Sequence, residues 1–321
     1  MTLLYSNLYG EIPLTPHFKD IGRDIIPGAD ALYYKGHIGE ILIQQQITAS
    51  FIFHYAHYYF NSRSIISFRH QGFALQSLIP LNQDINTHIT GADNFLLRKE
   101  HLVLTHNPAR EMSFIFEKGK NYFAFGSSFN LDFVYKHLQQ FFNQTEIAKF
   151  YGPNFFALTG TPKFASHKII DVINDIIGFS VPSPIRGNYN AIKMEEFFVL
   201  QLARIFSKPE PKLKLSERQL EGLEQVRHIL LEDFTKRHTP RELCKRTHIT
   251  MHTLKNGFKA VYGLAPYEYQ KDARLRKAKD LLTHTDKPIK EIAALVNYAS
   301  FASFVDAFTN HFGYTPGYVR K

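Results

Sequence analysis

The sequence is poor in the residues that tie secreted or metal-held proteins together. Its 321 residues include one cysteine, Cys244, and no tryptophan. A single thiol excludes an internal disulfide and any cluster of thiolate metal ligands, and it suits a reducing compartment. Long apolar runs are missing too: no stretch approaches the roughly 18 uninterrupted apolar residues of a membrane span. The opening stretch MTLLYSNLYGEIPLTPHF lacks the basic segment and apolar core of an export signal. No G-x-x-x-x-G-K, G-x-G-x-x-G or G-x-S-x-G pattern occurs, so the common nucleotide and hydrolase routes have no support. These absences predict a cytoplasmic protein with no membrane partner, no catalytic residues and no cofactor.

What is present is a folded, soluble composition, 44% hydrophobic and 21% charged with a mean hydropathy of −0.23. At ~100 to 200 residues per domain the length predicts two domains. The charge is unevenly placed: residues 1–207 hold 17 basic and 16 acidic side chains, residues 208–321 hold 21 and 13, so +8 of the net +9 sits in the last third. Such an excess makes a polyanionic partner worth testing, double-stranded DNA among them, since dense Lys and Arg are the electrostatic footprint of nucleic-acid binding.

From Ile38 to about Phe125, β-branched and aromatic runs broken by turn residues predict many short strands, including Ile41-Leu-Ile-Gln, Phe51-Ile-Phe-His-Tyr, Ser64-Ile-Ile-Ser-Phe and Phe73-Ala-Leu-Gln-Ser-Leu-Ile. That spacing points to a β-sandwich or barrel. Helical periodicity follows at Leu131 to Phe142, Phe164 to Ile177 and Asn190 to Ser207. Residues 208–216 read as a linker, because two prolines block helix continuation and alternating charges keep the segment solvated. The expected division is therefore 1–207, the linker 208–216, and a helical domain over 217–321. His54, His57, His88, His101 and His106 invite a metal hypothesis, but His54 and His57 would face opposite sides of a strand, and core or surface histidine is the reading preferred.

The last third carries an internal repeat. Leu254, Phe258, Tyr262, Gly263 and Pro266 return 50 residues later as Phe304, Phe308, Phe312, Gly313 and Pro316. Each copy follows a short amphipathic segment and a tight turn, which makes a pair of helix-turn-helix units. Thr239-Pro-Arg-Glu242 reads as a capping box, and Thr250 and Ser300 stand where each second helix needs an N-cap. His248 and Asn297 occupy the turns, and both residue types tolerate the left-handed backbone. Leu254 and Phe258 face the core, leaving His252, Lys255, Asn256 and Lys259 on the opposite face, able to meet DNA. The helix from Pro266 to about Leu282 joins the units.

Residues 216–321 resemble the AraC/XylS family of bacterial transcription regulators. The resemblance rests on Leu243-Cys-x-x-x-x-Ile249-Thr250, Leu254-Lys-Asn-Gly-Phe-Lys, Tyr262-Gly-x-x-Pro266-x-x-Tyr269, Arg274-Leu-Arg-Lys-Ala-Lys-Asp-Leu-Leu282, Ile289-Lys-Glu-Ile-Ala293 and Phe312-Gly-Tyr-Thr-Pro316. The first of the recognition-helix motifs is most similar to the PchR-type branch. The resemblance implies an α+β two-domain protein: a cupin-like, jelly-roll β-domain with accessory helices, then an all-α domain with two helix-turn-helix units on a long connecting helix. It implies that His252, Lys255 and Asn256 reach base edges, with Lys259 on phosphate. In the second unit the corresponding face is Phe301, Ala302, Val305 and Asp306, able to touch thymine methyls or accept from cytosine N4 but not to neutralise phosphate. The resemblance further implies a small-molecule effector of unknown identity, RNA polymerase as the partner of an activator, and a homodimer formed through Ile192, Phe198, Val199 and Leu202 on the Asn190 to Ser207 helix. That helix could equally pack on its own β-domain. Two alternatives stay open: a ligand-independent DNA binder, and a cupin-type enzyme with a DNA-targeting tail.

Overall fold

The computed structural model describes residues 3–6, 10–16, 26, 28–69, 74–89, 95–106, 112–152, 154–158, 162–178, 183–206, 215–312 and 314–319. Most of the expected linker, Phe73 and Gly313 lie outside the described residues. The chain divides into two compact units, Met1–Ser207 and Lys208–Lys321.

The N-terminal unit is built from two antiparallel sheets. One runs Phe95–Leu97, Ile85–Ile89, Met112–Phe116, Ser64–Arg69, Leu3–Ser6 and Gly10–Glu11 from edge to edge. The other runs Phe156–Ala157, His101–His106, Leu75–Pro80, Asn121–Phe129, Phe51–Phe60, Gly39–Ile47, Asp30–Gly36 and Thr15–Pro16, with Lys163–Phe164 also paired to His101–His106. Numbered from Phe51–Phe60 to Asn121–Phe129, the eight central strands lie in the orders 1-8-3-6 and 2-7-4-5. That alternation between sheets is the jelly roll. Strand period explains why the runs are apolar on both faces. Phe51 and Phe53 pair in register with Phe129 and Ser127 and point to the outer helices, whereas Ala56, Tyr58 and Phe60 point between the sheets with Ile66, Phe114 and Phe116.

Helices α1 Leu131–Leu138, α3 His167–Gly178 and α4 Ser183–Phe206 pack on the outer face of the larger sheet, and α2 Gln144–Ala148 lies between α1 and α3 in the chain. Asn130 caps α1 by accepting from the Phe133 amide at 2.8 Å. α4 begins seven residues before the expected Asn190, with Pro184 in its first turn, where a missing amide costs nothing. Its inner side inserts Met194, Phe197, Phe198 and Leu202 into the core, all at most 3% exposed. Phe198 sits 4.5 Å from the Phe129 ring and 5.3 Å from Phe133, centroid to centroid. The expectation that Phe198 and Leu202 meet a second subunit is therefore corrected: their apolar surface is already buried on their own sheet. Ile192 and Val199 lie on the other side of the helix, 67% and 46% exposed.

The C-terminal unit is helical: α5 Glu217–Glu232, α6 Pro240–Thr247, a recognition segment ending in α7 Phe258–Tyr262, α8 Pro266–His284, α9 Ile289–Leu295 and α10 Phe301–Phe312. α5 opens on a full capping box, Ser216 with Gln219. Thr239 accepts from the Glu242 amide at 3.2 Å. The Glu242 carboxylate also lies 3.5 to 3.8 Å from His238, Lys236 and Arg246. Among the described residues no helix is long and apolar enough to cross a membrane.

Candidate nucleic-acid interface

The first helix-turn-helix unit is α6, a left-handed turn at His248 (φ 54°), and a helix running from residue 251 to 262. Thr250 caps that helix, its Oγ1 accepting from the Thr253 amide at 3.1 Å. Residues Thr253–Gly257 form a single widened π-helical turn before α7. Gly263 (φ 81°) ends the helix in a conformation that a side chain would strain. Leu254, Phe258 and Tyr262 are buried against α5 and α8. The unit seats closely on α5, because Gly222 lets Ile249 approach to where a Cβ would stand 2.3 Å from its Cγ2. The Tyr262 hydroxyl donates to Glu224 at 2.7 Å, and Arg227 pairs with the same carboxylate at 2.6 Å. Burial and then the Glu224 charge push the Tyr262 phenol far up, so it remains a donor.

With the inner face spent on packing, His252, Lys255, Asn256 and Lys259 are all exposed on one side of the helix, and the structure brings the four together. They offer a ring, two ammonium groups and a carboxamide in successive turns, a set able to pair with purine edges and phosphate. Met251, 46% exposed at the start of the same face, escaped the sequence reading. Its spacing of four from Lys255 was the available signal. Cys244 on α6 is half-buried, and burial pushes its thiol up, away from the thiolate that redox sensing needs.

The second unit repeats the architecture. Asn297 (φ 60°) forms the turn, and the Ser300 hydroxyl accepts from the Ser303 amide at 3.1 Å. Phe304 and Phe308 are fully buried. Phe301, Ala302 and Asp306 are exposed, but Val305 is half-buried against the unit's own core, so it does not share their face in full. The two units are tied through backbone carbonyls of residues 233–236. Gln270 on α8 donates to Lys236 O at 2.8 Å, Arg274 donates to Phe234 O at 2.5 Å, and Asn297 donates to Thr235 O. Arg274 is thus a structural residue rather than a phosphate contact.

In the N-terminal unit a cavity of about 40 Å³ lies between the sheets. That is room for about three waters. Its lining includes His54, Tyr58, Thr87, Thr105 and Phe114, and among the described residues no Asp, Glu, Lys or Arg lines it. Burial holds the Tyr58 phenol protonated, and Thr87 Oγ1 is buried without a hydrogen-bond partner. The other histidines serve the fold: His57 Nε2 meets Asn121 at 2.8 Å, and His106 meets the Ala74 and Gly152 carbonyls at 2.6 and 3.1 Å. Among the described residues no group of three or more His, Cys, Asp or Glu is placed to hold a metal.

Comparison with known proteins matches residues 243–321 to a helix-turn-helix domain family. The chain is 31% identical over 98 residues to the uncharacterized HTH-type transcriptional regulator YtdP of Bacillus subtilis, covering 30% of this chain and 13% of that protein. It is 31% identical over 100 residues to the HTH-type transcriptional activator RhaS of Escherichia fergusonii, covering 30% of this chain and 36% of RhaS. The match therefore spans well under half the length of either relative. Among solved structures, ToxT from Vibrio cholerae O395 aligns over 85% of this chain and 98% of its own, at 14% identity and a TM-score of 0.32. The family match falls on the paired helix-turn-helix geometry: residues 243–321 of this chain form a helix-turn-helix domain, similar to those of the named transcriptional regulators.

Proposed function

We propose that the whole chain is a sequence-specific transcriptional regulator, an activator, that reads operator DNA through its first helix-turn-helix unit and responds to a small molecule held by its jelly roll. The observation that carries this reading is the row His252, Lys255, Asn256 and Lys259, exposed together on the recognition helix of an AraC-type domain. Lys255 donates to guanine O6 or N7, Asn256 pairs with adenine, and Lys259 holds phosphate. The second unit contributes apolar contact through Phe301 and Ala302 and acceptor contact through Asp306. An effector held between the sheets would be neutral, since the described lining there carries no ionised side chain, and it would have to part the sheets, because the cavity as it stands holds only about three waters. The PchR-like branch is the subgroup favoured by Leu254-Lys-Asn-Gly-Phe-Lys. RNA polymerase is the partner an activator needs. The named functions of the relatives support a regulator and not an enzyme.

Dimerisation is part of the proposal, in revised form. Ile185, Ile192 and Val199 recur every seven residues along the exposed side of α4, the spacing of a helix pairing seam. Selection of bound sequences from a random duplex library tests the central claim. The full chain should enrich a long motif, and Lys255→Ala with Asn256→Ala should lose it while keeping the fold. An unchanged motif in the double variant would refute the reading face.

A further inference from the structure

The recognition helix alternates between solvent and core with a repeat of four. Met251 and His252, Lys255 and Asn256, and Lys259 are exposed, whereas Thr253 and Leu254, and Gly257 and Phe258, are buried between them. In an α-helix a four-residue repeat swings round by about 40° at each step. The widened turn at Thr253–Gly257 takes up that swing, so the reading side chains stand in a straight row. Turns of this kind are rare, and here the start of α5 supports one.

Gln219 uses both ends of its carboxamide. Its Oε1 accepts from the Ser216 amide at 2.9 Å, and its Nε2 donates to Thr253 Oγ1 at 3.1 Å. Thr253 is 2% exposed, and its hydroxyl also meets Thr250 Oγ1 at 3.0 Å, the oxygen that caps the recognition helix. One chain of hydrogen bonds therefore runs from Ser216, the last residue of the expected linker, to that cap. Leu215 adds apolar contact. A Cβ on Gly257 would stand 3.3 Å from Leu215 Cδ2 and 3.0 Å from Leu223 Cδ1, so the missing side chain lets the widened turn lie close against both. In the second unit the equivalent Ser303 hydroxyl bonds within its own helix start, to the Ser300 carbonyl at 2.9 Å.

We propose that Gln219 is a positioning residue for DNA reading: through Thr253 it fixes the start of the recognition helix, and with it the aim of His252, Lys255 and Asn256 at base edges. That role rests on this face being the one that meets DNA. Base contacts are directional hydrogen bonds, whereas attraction to phosphate is largely Coulombic and tolerates a change of aim. Loss of the Gln219–Thr253 bond therefore lowers discrimination between sequences and leaves non-specific affinity in place. Because Gln219 also holds the Ser216 amide, the linker ends on the side chain that holds the reading helix.

Fluorescence-anisotropy titration of the full chain against its selected operator, and against a scrambled duplex of the same length, tests this. Thr253→Val keeps the branched shape and removes the hydroxyl, and Gln219→Met keeps the length and removes the amide. Each should lower the ratio of operator to scrambled affinity by about fivefold to tenfold, the effect of one hydrogen bond. The double variant should lose no more than either alone, since both break the same bond. Thr253→Ser should keep the parental ratio because it keeps the hydroxyl. Binding to the scrambled duplex should stay at the parental value in every variant, which also shows that the domain is folded. Parental ratios in both single variants, additive losses in the double variant, or equal losses on the two duplexes would overturn the positioning role while Lys255→Ala with Asn256→Ala still loses the operator. A parent that prefers no duplex, or an operator kept by that Lys255 and Asn256 variant, would instead overturn the reading face, and the role of Gln219 with it.

Discussion

The two helix-turn-helix units share a buried skeleton and differ on the surface. Phe258 and Phe308 are both fully buried, Thr250 and Ser300 make the same cap bond at 3.1 Å, and His248 and Asn297 take the same left-handed turn. Outside that skeleton the first unit exposes His252, Lys255, Asn256 and Lys259, whereas the second exposes Phe301, Ala302 and Asp306. A repeat therefore preserves what packing demands and leaves the solvent face free to diverge. Chemistry suited to DNA is concentrated in one copy.

The largest expected effect tests the shared part. Phe258→Ala and Phe308→Ala should each cost about 3 to 5 kcal/mol of stability in urea unfolding, since both empty a sealed site. A loss under about 1 kcal/mol in either would show that the two cores are not equivalent. The surfaces should separate next. Lys255→Ala with Asn256→Ala should weaken operator binding by about 1 to 3 kcal/mol per lost base contact, and Phe301→Ala with Asp306→Ala by much less. Equal losses in a binding titration would erase the asymmetry.

The same contrast between packed and open surface holds within α4. Ile192→Glu with Val199→Glu should convert a dimer to a monomer by light scattering at micromolar concentration without lowering the melting temperature, because both side chains are exposed. A parent chain that is already monomeric would remove the seam. At the turns, His248→Gly should stabilise by up to about 1 kcal/mol by relieving the left-handed backbone. Asn297→Gly should instead cost about 1 kcal/mol, because it deletes the bond from Asn297 to the Thr235 carbonyl.

The smallest effect is electrostatic. The hydrogen bond from Lys136, 2.8 Å away, and then that from His137 hold the Glu195 carboxyl below its ordinary value. A carboxyl depressed in the fold contributes stability that is fully present above its unfolded pKa of ~4.3 and is lost as pH falls through the folded value. Glu195 is 44% exposed, so the contribution is about 0.5 kcal/mol. Melting curves of Glu195→Gln and the parent should differ slightly at pH 7 and converge once the carboxyl is protonated in the fold; a difference that persists in acid would rule the pair out as its cause.

Local rules made much of this legible. Threonine and serine before an apolar run announce an N-cap, and histidine or asparagine in a tight turn announces positive φ, because both effects act within a few residues. Thr239 caps α6 as its place before an apolar run predicts, and the Glu242 carboxylate also meets Lys236 and Arg246 at 3.8 Å. The apolar stripe of α4 was visible, yet its use was not. Phe198 and Leu202 are sealed by Phe129 and its neighbours, which come from strands far away in the chain.

The paired helix-turn-helix units, the strand-rich first half and the uneven charge are legible before any fold is known, because each is written in short-range periodicity or residue type. Which side of α4 is spent on the core, and the pairing of Arg274 with the Phe234 and Thr235 carbonyls, belong to the packing of the chain. Those facts depend on which distant segments meet, and burial and hydrogen-bond partnership are properties of that meeting.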